Sequence, residues 1–457
     1  MERFDVVVVG ARCAGSPLAT MLARRGLRVC LLDRSRFPSD TLSTHVIQPC
    51  GVASLGRVGV LDAVSAAGAV PLTRFTLVAD DVRVDAKGDV ETFGAPGLCV
   101  RRVTLDHLLV KAAALAGAEV RTATRVSSLL QEDGRVVGVE TERGGLRARL
   151  VVGADGRRST VAALVGAAEY HVAPPRRMFA WAYFEGVADT EGRLRLGRLG
   201  ELAFLASPTD AGLYMAGVCP ALGVKDAFLA DRERSFMAGL GAWPELADLL
   251  AGASRIGPIR VMANWHGYFR EAAGPGWALL GDAGHFKDPT PAQGISDALR
   301  QAEHLANAVE AGLGGAASID DELGRWWRWR DQDAYEMHWF ATDMGAAGAS
   351  PVLNAQILRD IAGDDEASEK LLRVLNHDIR PSQLFRPGRL GKAAARVARD
   401  RPDQIPVIMK EVASALGSHV RRSRRRRNPS PEGEAPAIMS GRLCGPRAPV
   451  LFEPARE

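Results

Sequence analysis

The sequence predicts an α/β protein: a three-layer, doubly wound parallel-sheet domain, an antiparallel-sheet domain inserted into it, and helices at the C-terminal end. Three observations predict this. Near the N-terminus two apolar runs flank a Gly-rich turn and a helical stretch. Strand-like segments separated by Gly, Pro and Asp fill 176–220, and a buried strand with another Gly-rich turn returns at 277–284. A chain of 457 residues has room for two or three such units.

Residues 4–9, FDVVVV, lack polar alternation, as expected of a strand covered on both faces. Gly10 ends the run, Leu18, Met21, Leu22 and Ala23 follow at helical spacing, and LRVCLL at 27–32 makes a second strand. Together they form a βαβ unit. Residues 103–117 read as a helix with Leu105, Leu108, Leu109 and Ala112 on its apolar face, followed by a strand over 118–130. VVGVET and LRARLVVG, joined at Gly-Gly, give two more strands.

MFAWAYFEGV, ELAFLASP and GLYMAGVC supply the antiparallel strands. WALLGDAG then leads into a helix over 294–312 and another over 318–343, with weaker helical segments to about 416. The second helix carries Trp326, Trp327, Trp329 and Trp339; its mixed polar side (Arg325, Arg328, Arg330, Asp331, Asp333, Glu336) points to packing on the parallel-sheet domain rather than to a membrane surface. The expected division is 1–75, 101–175 and 271–345 for the parallel-sheet domain, 76–100 and 176–270 for the inserted domain, 346–420 for C-terminal helices, and 421–457 for a tail.

Lys and Arg number 58 against 54 Asp and Glu, a net charge of +4. From Arg421 onward nine Arg and four Glu supply +5, so the body carries −1 and has no surplus to steer it to nucleic acid or an anionic membrane. The tail, RRSRRRRNPSPEGEAPA, reads as unfolded, either a solvated end or an RNA-binding or localisation arm. Cys13, Cys30, Cys50, Cys99, Cys219 and Cys444 form no CxxC pair or zinc spacing, which fits a reduced cytoplasm. No signal peptide and no transmembrane run are expected, while peripheral contact with a membrane that holds an apolar substrate stays an open alternative. No His-carboxylate cluster suggests a metal.

Gly10-Ala11-Arg12-Cys13-Ala14-Gly15 between strand and helix resembles the dinucleotide fingerprint GxGxxG with Arg12 at the middle glycine. Two readings of Arg12 stand: its charge aims at a phosphate, or at a carboxylate of the second domain. Asp33, with Arg34 after it, ends the second strand where a carboxylate accepts ribose hydroxyls. Two further turns stand out, Val152-Gly153-Ala154-Asp155-Gly156-Arg157-Arg158-Ser159 and Gly281-Asp282-Ala283-Gly284-His285, the latter running through Lys287, Asp288, Pro289, Pro291 and Gln293 to Gly294 at a helix start.

Together these pieces resemble the FAD-dependent monooxygenases of the aromatic-hydroxylase type and, more loosely, the geranylgeranyl-reductase-like flavoproteins, over roughly residues 4–345. The resemblance implies a Rossmann-like FAD-binding domain. It also implies that Asp155 and Gly156 help hold FAD, that Asp282 binds a ribityl hydroxyl, and that Pro289 to Gly294 pass beside the flavin ring. Arg102, with Arg101 as a rival, corresponds to an Arg that reaches the cofactor. His45, in the loop after Asp33, is the candidate catalytic residue: either it exchanges a proton with substrate or it only hydrogen-bonds backbone. Trp181 and Tyr183, on one strand face opposite Ala182 and Phe184, are candidates with Phe204 and Tyr214 to line a substrate pocket, the alternative being ordinary sheet core.

The function implied is hydroxylation of an aromatic or polyketide-like small molecule with NAD(P)H and O2 through a flavin C4a-hydroperoxide. NAD(P)H would visit transiently, since no second GxGxxG is present. The alternatives are a flavin reductase of an isoprenoid-like or other unsaturated substrate, and a non-redox scaffold for binding or cyclisation. No WxWxIP segment of the kind found in flavin halogenases occurs.

Overall fold

A computed structural model describes residues 1–427, apart from Thr190, Asn264 and Ala316. Five parallel strands form the spine of its first sheet, in the order Glu119–Arg121, Val29–Leu32, Glu2–Val9, Gly144–Gly153 and Trp277–Leu279. The unalternated apolar run takes the centre because both its faces are covered. Val6 and Val8 pack with Leu18 and Leu22 of helix Gly15–Arg24 and with Ala302 and Leu305 of helix Gly294–Leu313. Val7 and Val9 pack on the opposite side with Val139, Val151 and Val161, contributed by the hairpin Val126–Glu132/Arg135–Thr141, the neighbouring strand and helix Thr160–Leu164.

Register aligns the strand ends. Val9 lies opposite both Leu32 and Gly153, and Gly153 lies opposite Leu279. The carboxyl ends of four strands therefore form one row, and the turns that follow them emerge side by side.

The second sheet has seven strands in the order Ser254–Met262, Phe179–Glu185, Tyr214–Cys219, Leu202–Pro208, Arg193–Leu199, Arg74–Ala79 and Val82–Lys87. All neighbours are antiparallel except Arg193–Leu199 with Arg74–Ala79, which are parallel because the earlier strand is delivered by a different stretch of chain. One face, with Trp181, Tyr183, Leu205 and Met215, is covered by Leu353, Ile357, Leu371 and Leu372 of helices Val352–Ala362 and Asp365–Leu375. The other, with Ala182, Phe184, Phe204 and Tyr214, packs on Phe236, Leu240, Trp243 and Leu246.

Helix Ile319–Met344 packs on the first sheet's layer: Trp326 is buried and donates Nε1–H to the Gln301 carbonyl at 3.3 Å, and Trp329 stacks on His304 at 3.6 Å. The tail expected to be unfolded from Arg421 is helical in its first residues. Helix Ile405–Arg427 runs through them, held where Arg422 meets Asp343 at 2.7 Å and where its carbonyl accepts from Tyr335. The remainder of the expected tail, 428–457, lies outside the described residues.

Candidate functional site

The three Gly-rich turns meet above the row of strand ends, at contacts that leave no room for larger residues. Gly10 has φ +109°, and a Cβ there would lie 2.3 Å from the Ala154 carbonyl oxygen. A Cβ at Gly15 would lie 1.9 Å from the Gly10 oxygen, and one at Gly281 would lie 3.0 Å from Cβ of Ala14. Backbone bonds fasten the turns: Ala154 N–H donates to Val9 at 2.7 Å and Leu280 N–H to Gly153 at 2.8 Å. This crevice at the carboxyl ends of a parallel sheet is where such folds bind nucleotides.

Asp33 stands at one end of the crevice. Its Oδ2 accepts from Ala11 N–H at 2.8 Å and its Oδ1 from Ser35 N–H at 2.7 Å. A carboxylate has about four acceptor positions, so two are free for vicinal hydroxyls. Arg34 beside it is exposed.

Arg12 pairs with a carboxylate, but not one from the second domain. It reaches Asp106 at 2.7 Å and Ser39 Oγ at 3.0 Å. Asp106 lies on helix Arg102–Leu115 and is fully buried; Arg102 grips it with Nε at 3.0 Å and Nη2 at 2.9 Å. Two guanidiniums thus share one carboxylate, leaving a net positive charge beside the first turn. Cys13, within the turn, has its thiol pushed up to about 11 by burial, against the pull of Arg102. Arg101 faces away, bound to Asp210 at 2.9 Å.

Asp155 is committed locally. Its carboxylate accepts from Ser159 Oγ at 2.5 Å and from Thr160 and Val161 N–H at 2.6 and 3.2 Å, capping the short helix Thr160–Leu164. It therefore shapes its turn. Asp282 differs. Among the described residues its carboxylate has no hydrogen-bond or ion-pair partner, and burial raises its pKa while Arg157 and Arg102 oppose the rise. Such a group is suited to accept from a ligand hydroxyl.

The segment from Pro289 to Gly294 follows. Its tight turn has Ala292 N–H on the Pro289 carbonyl and Ala292 at φ +53°. The space where a Cβ of Gly294 would sit is open, and helix Gly294–Leu313 starts there without a side-chain cap on its first N–H groups. Gln48, not anticipated from sequence, secures this segment by donating Nε2–H to the Pro291 and Ala292 carbonyls at 3.3 Å each. Lys287 does not face the cofactor side. Buried, its Nζ meets Asp297 at 2.7 Å, and the other Asp297 oxygen meets His377 Nε2 at 2.7 Å. The C-terminal helices are thereby tied to the first turn of helix Gly294–Leu313, and the Lys287 ammonium with the His377 hydrogen bond holds the Asp297 carboxyl far below the usual range despite burial.

His45 lies three residues before Gln48, fully buried, with φ +67°. Its Nε2 is 2.7 Å from Tyr183 Oη and its ring meets the edges of Trp181 and Tyr183 at 5.9 and 5.7 Å. Burial, reinforced by Arg102, lowers its pKa to about 3, so the imidazole is neutral at pH 7 and is not a reservoir for a second proton. Arg260 and Arg101 stand 5.1 and 5.9 Å from the Tyr183 ring. An apolar cavity of about 40 Å³ opens nearby, lined by Val46, Leu72, Phe75, Leu194 and Leu372. Phe204 and Tyr214 are not brought to this face. Phe204 packs against Trp243 at 5.5 Å, and Tyr214 Oη accepts from Arg195 at 3.0 Å on the far side of the sheet.

The tight Gly10–Ala154 approach, the free acceptor positions of Asp33, the unpartnered Asp282 carboxylate and the open helix start at Gly294 all fit an extended dinucleotide bearing a flavin. Comparison with known proteins agrees. A family profile described as "FAD binding domain" matches residues 3–194. The chain is 31% identical over 310 residues to 6-methylpretetramide 4-monooxygenase of Streptomyces rimosus, covering 65% of this chain and 73% of that protein. It is 28% identical over 340 residues to a menaquinone reductase of Mycolicibacterium smegmatis, covering 68% and 77% respectively.

Among solved structures, a flavoprotein/dehydrogenase from Cytophaga hutchinsonii superposes with a TM-score of 0.74 at 18% identity, over 87% of this chain and 99% of that one. The flavin-dependent brominase Bmp2 superposes at 0.70 and 18% identity, over 87% and 100%, and these two likenesses speak to the fold alone. The row of strand ends, the three fastened turns and this set of relatives lead to one assignment: the chain belongs to the FAD-dependent monooxygenases of the aromatic-hydroxylase type and is an FAD-dependent oxidoreductase.

Proposed function

We propose that the protein hydroxylates an aromatic or polyketide-like small molecule, drawing on NAD(P)H and O2. The observation that supports this most directly is the buried His45–Tyr183 hydrogen bond in an aromatic wall, on the same short stretch of chain whose Gln48 braces the proline turn. FAD, when bound, takes a hydride from the nicotinamide and passes the electrons to oxygen.

The residues of the chain bind, orient and keep the site dry. Asp33 holds ribose hydroxyls, and the start of helix Gly15–Arg24 offers N–H groups to the pyrophosphate beside the Arg12–Asp106–Arg102 group. Asp282 accepts from a ribityl hydroxyl. The N-terminus of helix Gly294–Leu313 favours negative charge on the flavin's pyrimidine edge. Tyr183 presents its hydroxyl to a phenolic substrate while neutral His45 fixes the direction of that hydroxyl, a positioning role. Trp181, stacked on Phe179 at 4.9 Å, supplies apolar surface that excludes water.

A cytoplasmic setting is part of the proposal, supported by free thiols at Cys13, Cys30, Cys50, Cys99 and Cys219. No helix among the described residues is long and apolar enough to cross a membrane.

The test is oxygen uptake by the purified flavoprotein with NADH or NADPH and polycyclic phenols. Uptake matched by hydroxylated product is expected; flavin reduction without substrate-coupled oxygen use would refute the proposal. The similarity to a menaquinone reductase supports a second reading, reduction of an isoprenoid-like or other unsaturated substrate, which anaerobic turnover of such a substrate would select.

A further inference from the structure

Helix Ile405–Arg427 has one docked side and one bare side. On the docked side Ile408 is buried, Val412 packs against the core, and Glu411 accepts from the N–H groups of Val352 and Leu353 at 2.9 Å each. On the bare side Ile405, Met409, Leu416 and Val420 are 43, 66, 61 and 48% exposed. At 3.6 residues per turn these four fall within about 60° of one another, a continuous apolar stripe.

Basic residues adjoin the stripe. Lys410, Arg421 and Arg424 are exposed on the turns beside it, and the sequence continues with Arg425, Arg426 and Arg427. Glu411 is the one carboxylate in 405–427, and it is already engaged as a cap. An exposed apolar stripe bordered by Arg421 and Arg424, which have no ion-pair partner among the described residues, is the arrangement that lies in a bilayer interface, with its apolar side among acyl chains and its cations at phosphate headgroups. RNA is the poorer match: 405–427 contains no Phe, Tyr or Trp on which a base would stack, and an apolar stripe contributes nothing to phosphate contacts.

We infer that this helix docks the protein on the surface of a membrane containing anionic phospholipid. The contact is peripheral and does not depend on which substrate is turned over.

The test uses the full-length flavoprotein floated with vesicles of phosphatidylcholine, with and without phosphatidylglycerol. Flotation is expected only with phosphatidylglycerol and should fade as salt rises. Met409→Asp/Leu416→Asp and Arg421→Glu/Arg424→Glu should each weaken binding by about tenfold or more, with the flavin spectrum and Tm unchanged; Met409→Gln/Leu416→Gln is a milder control for folding. Absence of flotation on anionic vesicles overturns the inference, as does flotation indifferent to the apolar substitutions. So does self-association through the stripe, or binding of a single-stranded RNA, without flotation.

Discussion

His45 Nε2 lies 2.7 Å from Tyr183 Oη, joining the loop after the second strand to the sheet of the inserted domain across 138 residues of sequence. The pair is sealed from water and His45 is neutral. In the proposed function its value is the fixed orientation of the Tyr183 hydroxyl, not a charge. In the proposed hydroxylase Tyr183→Phe should lower kcat by about a hundredfold with little change in KM. His45→Gln, which keeps an acceptor, should retain more activity than His45→Ala. With His45 titrating near 3, kcat/KM should show no inflection near pH 6.5 that depends on this residue. An inflection that His45→Gln removes would count against the positioning role.

Asp282→Ala should weaken FAD binding by roughly ten- to a hundredfold, the worth of one charge-assisted hydrogen bond. Fluorescence titration of the apoprotein measures it. Normal affinity and turnover in the variant would remove the ribityl assignment.

Asp106→Asn leaves Arg12 and Arg102 without their shared counter-charge, and Arg102 is buried. Breaking such a group costs about 3–5 kcal/mol, whereas Arg12→Ala, at a partly exposed member, should cost less. Urea denaturation of the two variants tests the order.

Lys287→Met should loosen the C-terminal helices, because Asp297 then loses its buried ammonium partner and keeps only the His377 contact. Faster proteolysis within 346–427 is the expected readout. Lys287→Met/Asp297→Leu removes both charges and should be less harmful than Lys287→Met alone. The reverse order would show that the ion pair is not what fastens these helices.

Acid should destabilise the fold before its carboxylates are protonated. Burial lowers His45 and His338 to about 3 and holds His285 well below its ordinary value. Unfolded imidazoles titrate near 6.5, so between about 6.5 and 3 the unfolded chain binds more protons, and each residue's contribution, complete above that window, falls by about 1.4 kcal/mol per pH unit. Asp155, Asp282 and Asp288, whose pKa values are raised in the fold, act in the opposite sense. The Tm should therefore be lower at pH 5 than at pH 7.5, and His338→Phe should narrow the difference; equal values at both pH values would contradict this balance.

Local rules carried the sequence reading a long way. The strand at the N-terminus, the turn at Gly10 and the helix from Gly294 were readable because burial on both faces, a required positive φ and 3.6-residue periodicity each leave a mark within a few residues. Phe204 and Tyr214 were not, since alternation sorts a strand's residues into two classes but inter-strand register decides which class meets which. Phe204 lies opposite Val218, and Tyr214 opposite Phe184, both on the side away from His45. Arg12 with Asp106, and Asp297 with His377, join residues 94 and 80 positions apart, and no motif spacing announces them.

The crevice is assembled from turns at Gly10, Ala154 and Gly281, with the inserted sheet's later strands made in between. During synthesis the N-terminal strand and its first glycine turn emerge early, yet their third neighbour is still untranslated. Cofactor capture is therefore a late event in the life of the nascent chain, and fragments ending before Leu280 should emerge as apolar sheet edges in need of a chaperone rather than as flavin-coloured protein.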